Sequence, residues 1–173
     1  MELELVSSIV NLLQKEFSSF ALPTRGESQE IDGPRRQLNF FEGYLPSKED
    51  FKDDVYPFVL VKADSAETDG QKTQVAVSFV VGTYGKESCG YKDAMNVMNK
   101  IRQCLLPCSQ SCLNGCFNML LPVSWSITEE QPWPYWQLKM ATQWVIYDPS
   151  YIPAGLPNVS SNYAKQIERA LYG

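Results

Sequence analysis

Cys104, Cys108, Cys112 and Cys116 recur at an unvarying step of four residues, with Cys89 set apart upstream. Four thiols in so short a stretch suit a structural zinc site, where gaps of two to four residues between ligands are common. Were the run one straight α-helix, its end thiols would stand about 18 Å apart along the axis. One tetrahedral ion, with Zn–S near ~2.3 Å, cannot gather ligands so spread. Pro107 and Gly115 interrupt any such helix, so a zinc knuckle stays open, as does a disulfide. The remaining reading is a set of reduced, partly buried thiols behaving as small hydrophobes, which a reducing compartment favours.

A second place for chemistry is Gly82-Thr83-Tyr84-Gly85-Lys86-Glu87-Ser88, which follows a strand pattern and precedes a helical one. That is the setting of a phosphate-binding loop, but the motif needs four residues between its glycines and a Ser or Thr after its lysine. This chain has two residues there, and Glu87 follows Lys86. The plain alternative is a tight turn closed by glycine. Carboxylates cluster at Glu49, Asp50, Asp53 and Asp54, and again at Glu129 and Glu130. Paired acids bind metals or cleave glycosides, yet both clusters fall in polar loops, where solvated acids are the simpler account. The chain has no histidine, which removes the commonest general base, triad partner and metal ligand together. On these residues no catalytic, cofactor or metal role is assigned. The chain is expected to work through its surface and not as an enzyme.

The elements that position these residues follow from apolar spacing. Over residues 1–20, Leu3, Val6, Val10, Leu13 and Phe17 recur at helical intervals, widened by Leu5, Ile9 and Leu12. Residues 21–55 show no sustained period and read as a long loop carrying Phe40, Phe41, Tyr44 and Phe51. Strands are expected over Tyr56–Ala63 and Lys72–Tyr84, joined by a polar loop ending in Asp69-Gly70. Tyr91, Ala94, Met98, Ile101 and Leu105 predict a helix with one apolar face, ended by Pro107. Phe117, Met119, Leu121, Val123, Trp125 and Ile127 alternate strictly, with a bend expected at Pro122. Leu138, Met140, Thr142, Trp144 and Ile146 alternate again, which makes the pair an antiparallel hairpin. Residues 148–173 read as an arm with a short helix over Asn162–Leu171. The order α-β-β-α-β-β predicts one two-layer α+β domain over 1–173. Its sheet is expected to be four-stranded and mainly antiparallel, with the helices on one face and the core in residues 1–20 and 55–148.

The chain has 173 residues and a formal charge of −5. Phosphate backbones repel such a surface, so sequence-specific nucleic-acid binding is not expected; Arg35-Arg36 is the one basic doublet. No stretch approaches the apolar length of a membrane span, and the first residues lack the basic and apolar regions of a secretory leader. Trp133-Pro134-Tyr135-Trp136 either closes one end of the core or anchors a neighbouring subunit, since tryptophan and tyrosine are enriched among interface hot spots.

Tyr56-Pro57-Phe58-Val59-Leu60-Val61, then Val80-Val81-Gly82-Thr83-Tyr84, then Gly90-Tyr91-Lys92-Asp93 opening a helix with Asn96 and Ile101-Arg102, and finally Pro132-Trp133-Pro134-Tyr135-Trp136 form a series. Over roughly residues 55 to 148 this series resembles the small tail-terminator, or tail-completion, proteins of long-tailed bacteriophages and prophages. The resemblance implies a virion structural protein, made in the cytoplasm of a bacterial host, that caps the tail tube and joins it to the head. It implies a homo-oligomeric ring, a hexamer, whose partners are the tail-tube and head-connector proteins, with no cofactor. A closed ring needs two different patches on each subunit, and Phe40, Phe41, Tyr44 and Trp133 are the interface candidates. The runner-up function is a small nucleotide- or metal-binding module using the Gly82–Ser88 loop.

Overall fold

A computed structural model describes residues 1–23, 35–47, 55–85, 88–131 and 133–147. Among them lie two helices, α1 (Glu2–Glu16) and α2 (Ser88–Leu105), and a short 3-10 turn (Leu106–Ser109). The strands are β1 (Ala21–Pro23), β2 (Arg35–Gln37), β3 (Asn39–Glu42), β4 (Phe58–Thr68), β5 (Lys72–Tyr84), β6 (Phe117–Ile127) and β7 (Tyr135–Tyr147). The fold is α+β: a mixed five-stranded sheet in the order β3-β4-β5-β7-β6, beside a two-stranded ribbon of β1 and β2.

Strand alternation builds a single core. Val75, Val77, Phe79 and Val81 of β5 point to one face, opposite Trp144, Thr142, Met140 and Leu138 of β7 and, on the other side, Val59 and Val61 of β4. All are buried, together with Leu5, Ile9 and Leu13 of α1 and Ala94, Val97, Met98 and Ile101 of α2. The one polar member of the buried β7 row, Thr142, donates its hydroxyl to the Val77 carbonyl at 3.0 Å and accepts the indole N–H of Trp144 at 2.9 Å. A buried hydroxyl satisfied on both sides avoids the cost of an orphaned polar group. Lys139, Ala141 and Gln143, on the other face of β7, are exposed. The sheet is therefore covered by helices on one side only.

Several expectations change. The sheet has five strands, not four, because β3 emerges from the stretch read as a loop and pairs parallel with β4, from Asn39↔Phe58 to Glu42↔Val61. Four residues are too few to show a period, and a parallel partner requires no hairpin to announce it. Adjacent phenylalanines split across the sheet: Phe40 reaches the core edge-on to Phe17 at 5.9 Å, and Phe41 lies on the opposite face, 6.4 Å from Phe58. Strand β4 runs to Thr68 instead of stopping at Ala63, since a bulge between Ala63 and Ser65 resets its register against β5. The turn shrinks accordingly. The Asp69 carboxylate accepts the backbone N–H groups of Gln71 and Lys72, each at 3.0 Å, and these bonds hold its carboxyl below the usual range. Leu3 is 81% exposed, so it does not belong to the buried stripe; it falls just beyond the rim of the arc from Leu5 to Val10. The expected arm and helix after Asp148 lie outside the described residues, as do 24–34 and 48–54 of the long loop.

On the uncovered face, one end of the sheet is closed by aromatic rings. Phe58 is fully buried over Gly82, where an added Cβ would stand 2.2 Å from its Cε1. Tyr56 meets Phe58 edge-on at 5.0 Å and Tyr135 at 4.5 Å, and Tyr84 lies 5.5 Å from Tyr135. Gln137 fixes this group by donating from Nε2 to the Tyr56 hydroxyl at 3.0 Å. Gly82→Ala must therefore push the Phe58 ring off its seat. The expected cost is about 1–3 kcal/mol of stability, read as a lower urea midpoint at unchanged slope.

Candidate functional site

The cysteine run is no straight helix. Cys104 lies in the last turn of α2, Cys108 lies in the 3-10 turn, and Cys112 and Cys116 follow through a bend where Asn114 and Gly115 take positive φ, 51° and 76°. Cys104, Cys108 and Cys112 line a cleft of about 790 Å³ between the end of α2 and the side of α1, with Leu12, Pro107 and Leu113. Cys104, Cys108 and Cys112 are free thiols, and burial pushes all four up; Cys116 reaches about 11, helped by Cys112 and Glu4. Thiolates are the nucleophiles and the metal ligands, so these positions are poised as protonated apolar groups. Among the described residues, no three side chains of the kinds that ligate metals gather around one point.

The Gly82–Ser88 loop spends its glycines on packing. Gly82 lies beneath Phe58, and the Gly85 carbonyl accepts the indole N–H of Trp136 at 2.9 Å while its N–H donates to the Pro134 carbonyl at 3.0 Å. Gly90, in the first turn of α2, admits the Trp136 ring, whose Cδ1 would be 2.4 Å from any Cβ there. The Thr83 hydroxyl donates to the Gly90 carbonyl at 2.7 Å. Strand β5 is antiparallel to both its neighbours, so the strand and α2 are not part of a parallel βαβ unit. Lys86 and Glu87 lie outside the described residues.

The four interface candidates separate into two pairs. Phe40 packs against the core and Phe41 sits beside Phe58, so both contribute to the fold. Tyr44 and Trp133 are exposed, at 78% and 65%. Within the Trp133–Trp136 segment, Trp136 packs against the core and Trp133 is exposed. Sequence reasoning passed over three further exposed side chains, all on β6. Leu121 is 60% exposed, Trp125 41% and Ile127 43%, although all three belong to a strictly alternating strand. Alternation reports which face a side chain takes, and it is silent on whether a helix covers that face. Helix α1 packs on β3 and β4, α2 on β5 and β7, and the 3-10 turn on β6, which buries Phe117 and Met119 but leaves Trp125 and Ile127 bare.

Exposed apolar side chains therefore sit at two opposite edges of the sheet. At the β6 edge are Leu121, Trp125 and Ile127, with Trp133 in the turn that follows. At the β3 edge, Tyr44 and Leu45 continue from the strand, and the Ser7 hydroxyl of α1 donates to Glu42 at 2.9 Å. Leu3 is exposed one turn before Ser7 on the same helix face. Register places the two groups at the same height. Glu42 pairs with Val61, Val61 with Phe79, Phe79 with Met140, and Met140 with Trp125, so one cross-strand row runs from one patch to the other. Acidic side chains flank both: Glu2 and Glu42 at one edge, Glu129 and Glu130 at the other. No described helix is long and apolar enough to cross a membrane. Searches against protein-family models and against curated proteins found no match.

The thiol assignment has two measurable consequences. Alkylation of Cys116 near pH 8 should be about a hundredfold slower in the folded chain than in urea, because a pKa near 11 suppresses its thiolate. A folded pKa above the unfolded one stabilises the protein below the ordinary thiol range, and that contribution is lost as pH rises toward 11. Stability should therefore fall on the alkaline side, and Cys116→Ala should flatten the fall.

Proposed function

We propose that this chain is a structural protein of a long-tailed phage or prophage, which caps the tail tube and joins it to the head as an oligomeric ring. The observation that carries the reading is the pair of apolar patches at opposite edges of one sheet. A soluble monomer rarely keeps several large apolar side chains wet in one place, and a ring requires two such surfaces on every subunit. The resemblance supports the same reading. Its residues come together in one packed unit: Phe58 on Gly82, Tyr56 on Tyr135, and Trp136 against Gly85 and Gly90. They hold the framework that such proteins would share, and the finer expectation of six subunits rests on the resemblance. The negative charge fits a lumen through which DNA passes without being held.

The nucleotide-module reading has less support, because Phe58 fills the space over Gly82 and the Gly85 carbonyl accepts the Trp136 indole. Tail-tube and head-connector proteins are the partners of the ring reading, with no bond made or broken at the contact. The test is native mass spectrometry of the full chain at micromolar concentration, with purified tail tubes as a second arm. A discrete closed oligomer, and its capture at tube ends, is the expected outcome. A monomer that ignores tubes would remove the reading, as would saturable nucleotide binding abolished by Lys86→Ala.

A further inference from the structure

We infer that copies of this chain join by seating the β3-edge patch of one subunit, Leu3, Tyr44 and Leu45, against the β6-edge patch of the next, Leu121, Trp125 and Ile127. The inference deepens the ring reading and rests on it.

Four features select a second copy as the occupant. The first is number: the chain carries two different apolar patches, and each can satisfy the other in a repeating contact. The second is position. The row Glu42–Val61–Phe79–Met140–Trp125 sets both patches at one level along the strands, so successive subunits need no step along that direction. A head-to-tail contact closes into a ring when it takes no step along the axis and its rotation closes; the shared level meets the first of these conditions. The third is size. Each patch exposes on the order of 300–400 Å² of side chain, comparable to the largest patch of an ordinary monomer and at most about half of one partner's share in a stable interface. The rims of the two edges supply the remainder.

The fourth feature excludes the simplest rival, in which two β6 edges zip together across a two-fold axis. Pro122 has no N–H to donate, and the register of β6 against β7 breaks between Leu120 and Ser124. A bulge and a proline in mid-edge are what blunt a strand against addition of another. Contact at this edge is therefore made by side chains. Because acids flank both patches, the contact is apolar with like charges at its rim. Association should tighten as salt is raised, the reverse of an ion-paired interface.

The experiment uses two variants of the full chain. One carries Leu3→Glu and Tyr44→Glu, the other Leu121→Glu and Ile127→Glu; all four positions are exposed, and circular dichroism verifies the fold. Each variant alone is expected to stay monomeric, and an equimolar mixture is expected to stop at a one-to-one dimer through the intact patch on each. Raising salt from about 0.05 to 0.5 M should strengthen that dimer severalfold. If the Leu3/Tyr44 variant still self-associates, the β6 patch pairs with itself and the inference falls while the oligomeric reading stands. If both variants assemble like the unaltered chain, the ring is built elsewhere, and again only the inference falls. If the unaltered chain is monomeric and ignores tail tubes, the ring reading fails first. As a second route that needs no destabilising change, a benzoylphenylalanine photocrosslinker at Ile127 should label peptides holding Leu3 or Tyr44 of another copy. Labelling of β6 itself would overturn the inference.

Discussion

Two helices cannot cover five strands. A helix with its side chains is about 10 Å across, and neighbouring strands are about 4.8 Å apart, so each helix covers roughly two strands. Helix α1 takes β3 and β4, and α2 takes β5 and β7. The fifth strand has only a 3-10 turn over its beginning, and the far half of β6 presents Trp125 and Ile127 to solvent. This mismatch of widths, more than any single side chain, leaves the far half of β6 exposed. Strand β5 is the axis of the arrangement: it pairs along its length with β4 and β7, and its inward residues are the middle of the core.

The uncovered face is not bare throughout. Its end is sealed by Phe58, Tyr56, Tyr84 and Tyr135, whose rings lie 4.5 to 5.5 Å apart in successive pairs. On the helix side of the same end, Trp136 is clamped by Gly85 and Gly90. The glycines of this region are needed because rings occupy the space that side chains would take. That accounts for a glycine-containing strand–helix junction without any phosphate. The cysteine ladder has an equally physical explanation: four small apolar side chains pack where a helix gives way to a 3-10 turn and then to a strand, and burial keeps them protonated.

Much of this was legible in the residues. The spacing of Tyr91 to Leu105 placed α2, Lys72–Tyr84 marked β5 at its full extent, and the alternation from Phe117 to Ile127 marked β6 at its full extent. The bend expected at Pro122 is the register break of β6. What escaped was non-local. Strand β3 is defined by its parallel partner, four residues against Phe58–Val61, and no local pattern announces it. Phe40 and Phe41, nominated for an interface, are consumed by the fold because β3 turns one inward and one outward. The exposure of Leu3, Trp125 and Ile127 depends on how far the helices reach, which periodicity does not encode. Tyr44 and Trp133 were singled out from residue type and loop position, and both are exposed.

On the ring proposal, copies of the same chain cover both edges of the sheet. Hydrogen–deuterium exchange of the full chain, compared between dilute and concentrated protein, addresses it directly. Protection should appear together at the start of α1, at residues 43–45 and along 121–127, and nowhere on the aromatic end of the open face. Protection confined to Tyr56, Tyr84 and Tyr135, or to one edge alone, would contradict it.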